Sequence, residues 1–124
     1  MSQILIVEDN AMNMKLARDI LTAKGHGVLE ATSGEEGLQM ASAERPDLVL
    51  MDIQLPGING IDALGRLRAD PRTAQIPVVA FTASVTVSDR SRVAEAGFDA
   101  FVSKPIDLKE FIAVIAGLLE PEAS

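Results

Sequence analysis

A chain of 124 residues, 48% hydrophobic and 23% charged, has the size of one domain and enough apolar matter to build a core. It has no cysteine and a single histidine, which excludes disulfide staples, thiolate catalysis and metal centres built on several Cys or His side chains. A net charge of −7, no Trp or Tyr and only four Phe argue against a nucleic-acid surface, electrostatic or stacking.

Ile4-Leu5-Ile6-Val7 is a continuous apolar run of strand length, the pattern of a strand buried on both faces. Leu16, Ala17, Ile20 and Leu21 then stripe a helix that ends at Gly25. A weaker strand, Val28 to Ala31, is interrupted by Glu30. Ser33 and Glu36 form a capping-box pattern opening a second helix. Leu48-Val49-Leu50-Met51 is the second fully apolar run, and Ile61, Leu64 and Leu67 stripe a third helix that stops near Asp70-Pro71. Pro77-Val78-Val79-Ala80-Phe81 is the third run. Val85 to Ala96 reads as a helix with a thin apolar face, and Phe98 to Val102 as a strand broken by Asp99. Asp107 and Glu110 cap the last helix, striped by Leu108, Phe111, Ile112, Ile115, Leu118 and Leu119.

Strand and helix alternate five times, which predicts right-handed crossovers and a parallel α/β sheet covered by helices on both faces. Three apolar strands belong in the middle and two interrupted ones at the edges, fitting the doubly wound order 2-1-3-4-5. One domain over 1–124 is expected, with no repeat, linker or effector domain. No apolar run approaches the ~18 residues of a membrane span, and Met1-Ser2-Gln3-Ile4 carries no basic leader pattern. A cytoplasmic location without membrane or direct nucleic-acid contact is therefore expected.

Ligands in such sheets bind beyond the carboxyl ends of the strands, near the switch point between the first and third. Polar residues gather there. The first strand ends in Glu8-Asp9, the third in Asp52, the fourth in Thr82, and the fifth leads through Ser103 to Lys104-Pro105. A lone Asp after a strand is more often a helix cap than a catalyst, and Thr82 or Lys104 alone says little. Their joint placement on one rim is what carries weight. Three clustered carboxylates repel one another, which raises a pKa or demands a cation. Oxygen-only donors suit a hard divalent ion, Mg²⁺ or Mn²⁺. With that charge cancelled, one carboxylate can attack an anionic electrophile such as a phosphoryl group, with Lys104 and Thr82 as donors to its oxygens. The rim thus reads as an aspartyl-phosphate site. The loop Glu8-Asp9-Asn10-Ala11-Met12 has no phosphate-cradling glycines and would repel a dinucleotide.

These residues resemble the response-regulator receiver (CheY-like, flavodoxin-like) domain over essentially the whole chain. The resemblance is carried by Ile4-Leu5-Ile6-Val7-Glu8-Asp9-Asn10, by Asp47 to Gly57, by Phe81-Thr82-Ala83 and by Ser103-Lys104-Pro105. Asn13-Met14-Lys15-Leu16 and Met51 to Pro56 are similar to the stand-alone regulators of the DivK type. The resemblance implies that Asp52 accepts a phosphoryl group from a histidine kinase or a histidine phosphotransfer protein. It implies Mg²⁺ held by Asp9, Asp52 and the backbone carbonyl of Gln54, with Glu8 acting through water. Thr82 would be the switch hydroxyl, Lys104 the counterion, and the Lys104–Pro105 bond cis. Gln54 and Ser84 would tune the phosphoryl lifetime.

Two residues depart from the family pattern: Glu8 stands where Asp is more frequent, and Phe101 where the switch aromatic is often Tyr. Phe101 is either a switch that stays inward or plain edge-strand core. Output is expected through protein contacts on the face of the fourth helix, fifth strand and fifth helix, with Val85 and Val87 either exposed there or packed inward. Met12 and Met14 are either a docking surface for a histidine-bearing helix or core. His26, between Gly25 and Gly27, reads as a turn residue. The competing classes are an aspartate-nucleophile phosphatase and a phosphorylation-independent scaffold. The former needs an Asp-x-Asp after its first strand, which is absent. The latter has no need of Asp52 and Lys104, and both are present.

Overall fold

The three uninterrupted apolar runs become strands β1 (Gln3–Val7), β3 (Leu48–Asp52) and β4 (Val78–Thr82), and every residue of the last two is buried. The interrupted runs become β2 (Gly27–Ala31) and β5 (Ala100–Ser103). In the computed structural model, which describes residues 2–55, 57–83 and 87–119, they form one parallel sheet in the order β2-β1-β3-β4-β5. The expected topology is the observed one. Glu30 and Asp99 sit at the edges because an edge strand leaves room for a charge to reach solvent.

Strand periodicity divides the core in two. Leu5, Val7, Val49, Met51, Val78 and Ala80 face helices α2 (Gly34–Glu44), α3 (Gly60–Ala69) and α4 (Val87–Ala96). Ile4, Ile6, Leu48, Leu50, Val79 and Phe81 face α1 (Ala11–Ala23) and α5 (Leu108–Leu119), which contribute Met14, Ala17, Leu21, Phe111 and Ile115. Each such aliphatic or aromatic side chain contributes about 1.5–3 kcal/mol by leaving water, so both faces are needed to hold the sheet.

The caps follow the sequence closely. Asn10, Ser33, Asn59 and Asp107 each accept a hydrogen bond from the backbone N–H three residues on. Glu36 reaches back to the N–H of Thr32 at 2.7 Å, one residue before the cap. Glu110 does not close a box on Asp107. It accepts instead from the N–H and hydroxyl of Ser103, tying α5 to the end of β5.

Some boundaries and faces differ from expectation. Leu16 is 45% exposed and Leu108 55%, because α1 turns Met14, Ala17 and Leu21 inward and α5 turns Phe111 and Ile115. Met14 is therefore core, whereas Met12 is 78% exposed. β5 begins at Ala100, two residues after Phe98, because Asp99 is used as a tie. Its Oδ2 accepts from the N–H of Val78 at 2.8 Å and from Arg68 at 2.8 Å. Arg68 also donates to the carbonyls of Ala74 and Ile76, so one guanidinium joins α3, the approach to β4 and the approach to β5. His26 lies in the turn that closes α1, its N–H donating to the Leu21 carbonyl beside Gly25 at φ 89°. Ser84 and Val85 lie outside the described residues, as does the side chain of Val87.

Candidate functional site

β1 and β3 are neighbours in register, Val7 opposite Met51, so the residues that follow, Glu8 and Asp52, emerge side by side at the carboxyl rim. Both are buried, Glu8 to 1% exposure and Asp52 to 3%, while Asp9 is exposed. One carboxylate oxygen from each of the three lies within 4.8 Å of the others. Lys104 enters from the far side of β4. The pairing of Thr82 with Ser103 and the bond from the Lys104 N–H to the Thr82 carbonyl (2.9 Å) deliver it there, ahead of a cis peptide to Pro105. Its ammonium sits 2.8 Å from Glu8 Oε1 and 3.2 Å from Asp52 Oδ2, and 4.7 Å above the centre of the Phe81 ring.

The remaining carboxylate valences are filled locally. The Asn10 N–H donates to Glu8 Oε2 at 3.0 Å and the Gln54 N–H to Asp52 Oδ1 at 2.9 Å. The contact of Glu8 Oε1 with the Lys104 ammonium, at 2.8 Å, is the short, charge-assisted kind. One ammonium against three carboxylates leaves two negative charges in excess. An all-oxygen donor set with that excess of negative charge fits a hard divalent cation.

Burial lifts the Glu8 carboxyl above its ordinary value of 4.5, an effect opposed by Lys104 and the Asn10 N–H and reinforced by Asp52. A raised folded-state pKa means that Glu8 adds stability below the ordinary carboxylate range, and this is lost as the pH climbs through the raised value. A divalent cation opposes that loss by favouring the ionised form. Added Mg²⁺ is therefore expected to raise the melting temperature more at pH 8 than at pH 5. An equal shift at both would contradict this account.

Thr82 is buried at the end of β4, and Gln54 is exposed in the connection after β3. Together they line a cleft of about 270 Å³ with Asn59 from the cap of α3 and with Arg92 and Val93 from α4. Phe101 is half-buried, paired with Ala80 in the sheet, and packs against the α2–α3–α4 side of the core. Sequence reasoning brought Glu8, Asp9, Asp52 and Lys104 to one place, and the structure does the same.

It missed Gly60. A Cβ there would collide with the Asp52 carbonyl oxygen and lie 2.8 Å from Ile53 Cα, both backbone, and the Gly60 N–H donates to the Ile53 carbonyl at 2.9 Å. Helix α3 thus starts in contact with the turn that holds Asp52. The signal was present, since Asn59-Gly60 followed by Asp62 is a helix start, but only packing shows what the glycine makes room for.

A family model for the response regulator receiver domain matches residues 4–116. The polar-differentiation response regulator DivK of Brucella anthropi is 42% identical over 116 residues, 94% of this chain and 94% of that protein. Among solved structures, the receiver domain of a sensor histidine kinase from Pseudomonas aeruginosa superposes with a TM-score of 0.88. It shares 29% identity, over 95% of this chain and 97% of the other, and holds a magnesium ion coordinated in its active site cleft. A CheY-like response regulator receiver domain protein from Methanospirillum hungatei gives 0.86 at 26% identity, over 96% and 94% of the two chains. Fold, acidic rim and relatives agree, and the chain belongs to the response regulator receiver family, with DivK-like relatives.

Proposed function

We propose that this chain is a stand-alone phosphoryl-accepting switch in a two-component pathway, with Asp52 as the acceptor. The observation that carries the reading is the convergence of three carboxylates within 4.8 Å, two of them bridged by Lys104. Asp9, Asp52 and the carbonyl of Gln54 are the residues that would hold Mg²⁺, with Glu8 acting through water. That cation, when bound, cancels charge between the acceptor and an anionic donor.

An Asp52 carboxylate oxygen attacks the phosphorus of a partner's phosphohistidine. A P–O bond forms, the P–N bond breaks, and the electron pair returns to the imidazole nitrogen, which then takes up a proton. Lys104 exchanges its contact with the Asp52 carboxylate for one with a phosphoryl oxygen, and the Thr82 hydroxyl turns to donate to another. Phe101 and α4 then resettle into the space beside Thr82. Moving a two-state domain from 1:99 to 99:1 takes about 5.5 kcal/mol of differential stabilisation, a demand that a few charge-assisted hydrogen bonds and one side-chain rearrangement meet in good part.

The donor is a histidine kinase or a histidine phosphotransfer protein. Met12, with the exposed Leu16 and Leu108, offers apolar contact near the rim for its histidine-bearing helix. Output passes through the α4–β5–α5 face to a protein target. A match over 94% of the Brucella relative's own length supports reading the chain as a DivK-like regulator.

The test is transfer from a phosphorylated histidine donor in the presence and absence of Mg²⁺. Label is expected to appear on the chain only with the cation, and hydroxylamine is expected to release it, the signature of an acyl phosphate. Label that survives hydroxylamine would contradict an aspartyl phosphate.

A further inference from the structure

We propose that Arg92 is a second cation of the phosphoryl site, recruited from α4 when Asp52 is modified. This rests on the reading of Asp52 as acceptor and goes beyond it by assigning a further anion-binding residue. Glu8, Asp9, Asp52 and Lys104 leave two negative charges over, which one divalent cation cancels. Replacing the single charge of Asp52 by a dianionic phosphoryl group leaves one negative charge uncompensated beside the buried carboxylate of Glu8.

A positive group is close at hand. The cleft that shares Gln54 and Thr82 with the site is walled on its α4 side by Arg92 and Val93, and among the described residues that line it Arg92 is the one that carries a charge. Val93 is buried in the core beneath α4, which places the neighbouring Arg92 at the cleft. Gln54, Asn59 and Thr82 can donate hydrogen bonds to a phosphoryl oxygen but bring no charge. A guanidinium brings both, and its planar fork matches two oxygens of one phosphoryl group.

Thr82 and Arg92 are both engaged in the present conformation, so the step is an exchange of partners. As Thr82 turns toward the phosphoryl group it leaves the cleft wall, and the guanidinium moves in behind it. Because Arg92 is part of α4, that contact draws the helix toward Asp52 and makes its position depend on the phosphoryl state.

Beryllofluoride with Mg²⁺ is the probe, since its adduct on a carboxylate carries the same charge as the acyl phosphate. Arg92→Gln is expected to raise the beryllofluoride concentration for half-saturation about 10-fold, the effect of losing one hydrogen bond between charged groups. Arg92→Lys is expected to keep part of the affinity. Arg66→Gln, an exposed change on α3 with the same loss of charge, is expected to leave it unchanged. Binding of Mg²⁺ alone is expected to be equal in all four proteins, and the Arg92 side-chain N–H resonance to move when beryllofluoride is added to the wild type. An unchanged half-saturation in Arg92→Gln, or an equal loss in Arg66→Gln, would overturn the proposal. Failure of the wild type to take beryllofluoride at all would instead overturn the assignment of Asp52, and this inference with it.

Discussion

Lys104→Met is expected to destabilise the cation-free domain by about 3 kcal/mol at neutral pH, and added Mg²⁺ to return most of that loss. Methionine keeps an unbranched stem out to the ε position, so the change removes the ammonium and little else. The ammonium bridges Glu8 and Asp52 at 2.8 and 3.2 Å, and both carboxylates are almost wholly buried. Breaking a buried ion pair by removing one partner costs about 3–5 kcal/mol because the other charge is left uncompensated. Protonation of Glu8, already favoured by its burial, places the expected value at the lower end. A divalent cation replaces the lost positive charge, which is why the effect should shrink when Mg²⁺ is present. Thermal melts of both proteins with and without Mg²⁺ decide it. Equal melting temperatures without the cation would mean that Lys104 carries no structural charge balance.

Gly60→Ala is expected to cost about 3 kcal/mol and to weaken Mg²⁺ binding, whereas Gly65→Ala in the same helix is expected to stabilise by about 0.5–1 kcal/mol. The methyl group at 60 would meet the backbone of Asp52 and Ile53, so α3 must move off the turn and give up the bond from its first N–H to the Ile53 carbonyl. At 65 a Cβ meets nothing within 4 Å, and alanine simply restricts the unfolded chain. Opposite signs within one helix separate packing from helix propensity. A Gly60→Ala domain that melts with the parent would show that α3 does not bear on the Asp52 turn.

Most of the architecture was legible because its signals are local. Unbroken apolar runs marked the central strands, charges inside Val28–Ala31 and Phe98–Val102 marked the edges, and Ser33 and Asp107 marked helix starts. The acidic rim was legible for a related reason, since a parallel sheet brings the residue after each strand to one side. The misses share a different cause. Leu16 and Met14 are equally apolar, and only the rotation of α1 against the sheet decides which is buried. Asp99 looks like a flaw in a strand until the Val78 N–H and Arg68 are seen to need its carboxylate. Gly60 and Arg92 lie 8 and 40 positions beyond Asp52 in the sequence, and no pattern along the chain says that packing returns each to its neighbourhood.

The central claim is that Asp52 is the phosphoryl acceptor, and intact mass tests it most directly. Wild type and Asp52→Asn are incubated with acetyl phosphate, with and without Mg²⁺, and weighed before the acyl phosphate can hydrolyse. One added phosphoryl group is expected on the wild type with Mg²⁺, none without the cation, and none on Asp52→Asn under either condition. A phosphoryl group on Asp52→Asn at the wild-type level would contradict it, because some other residue would then be the acceptor.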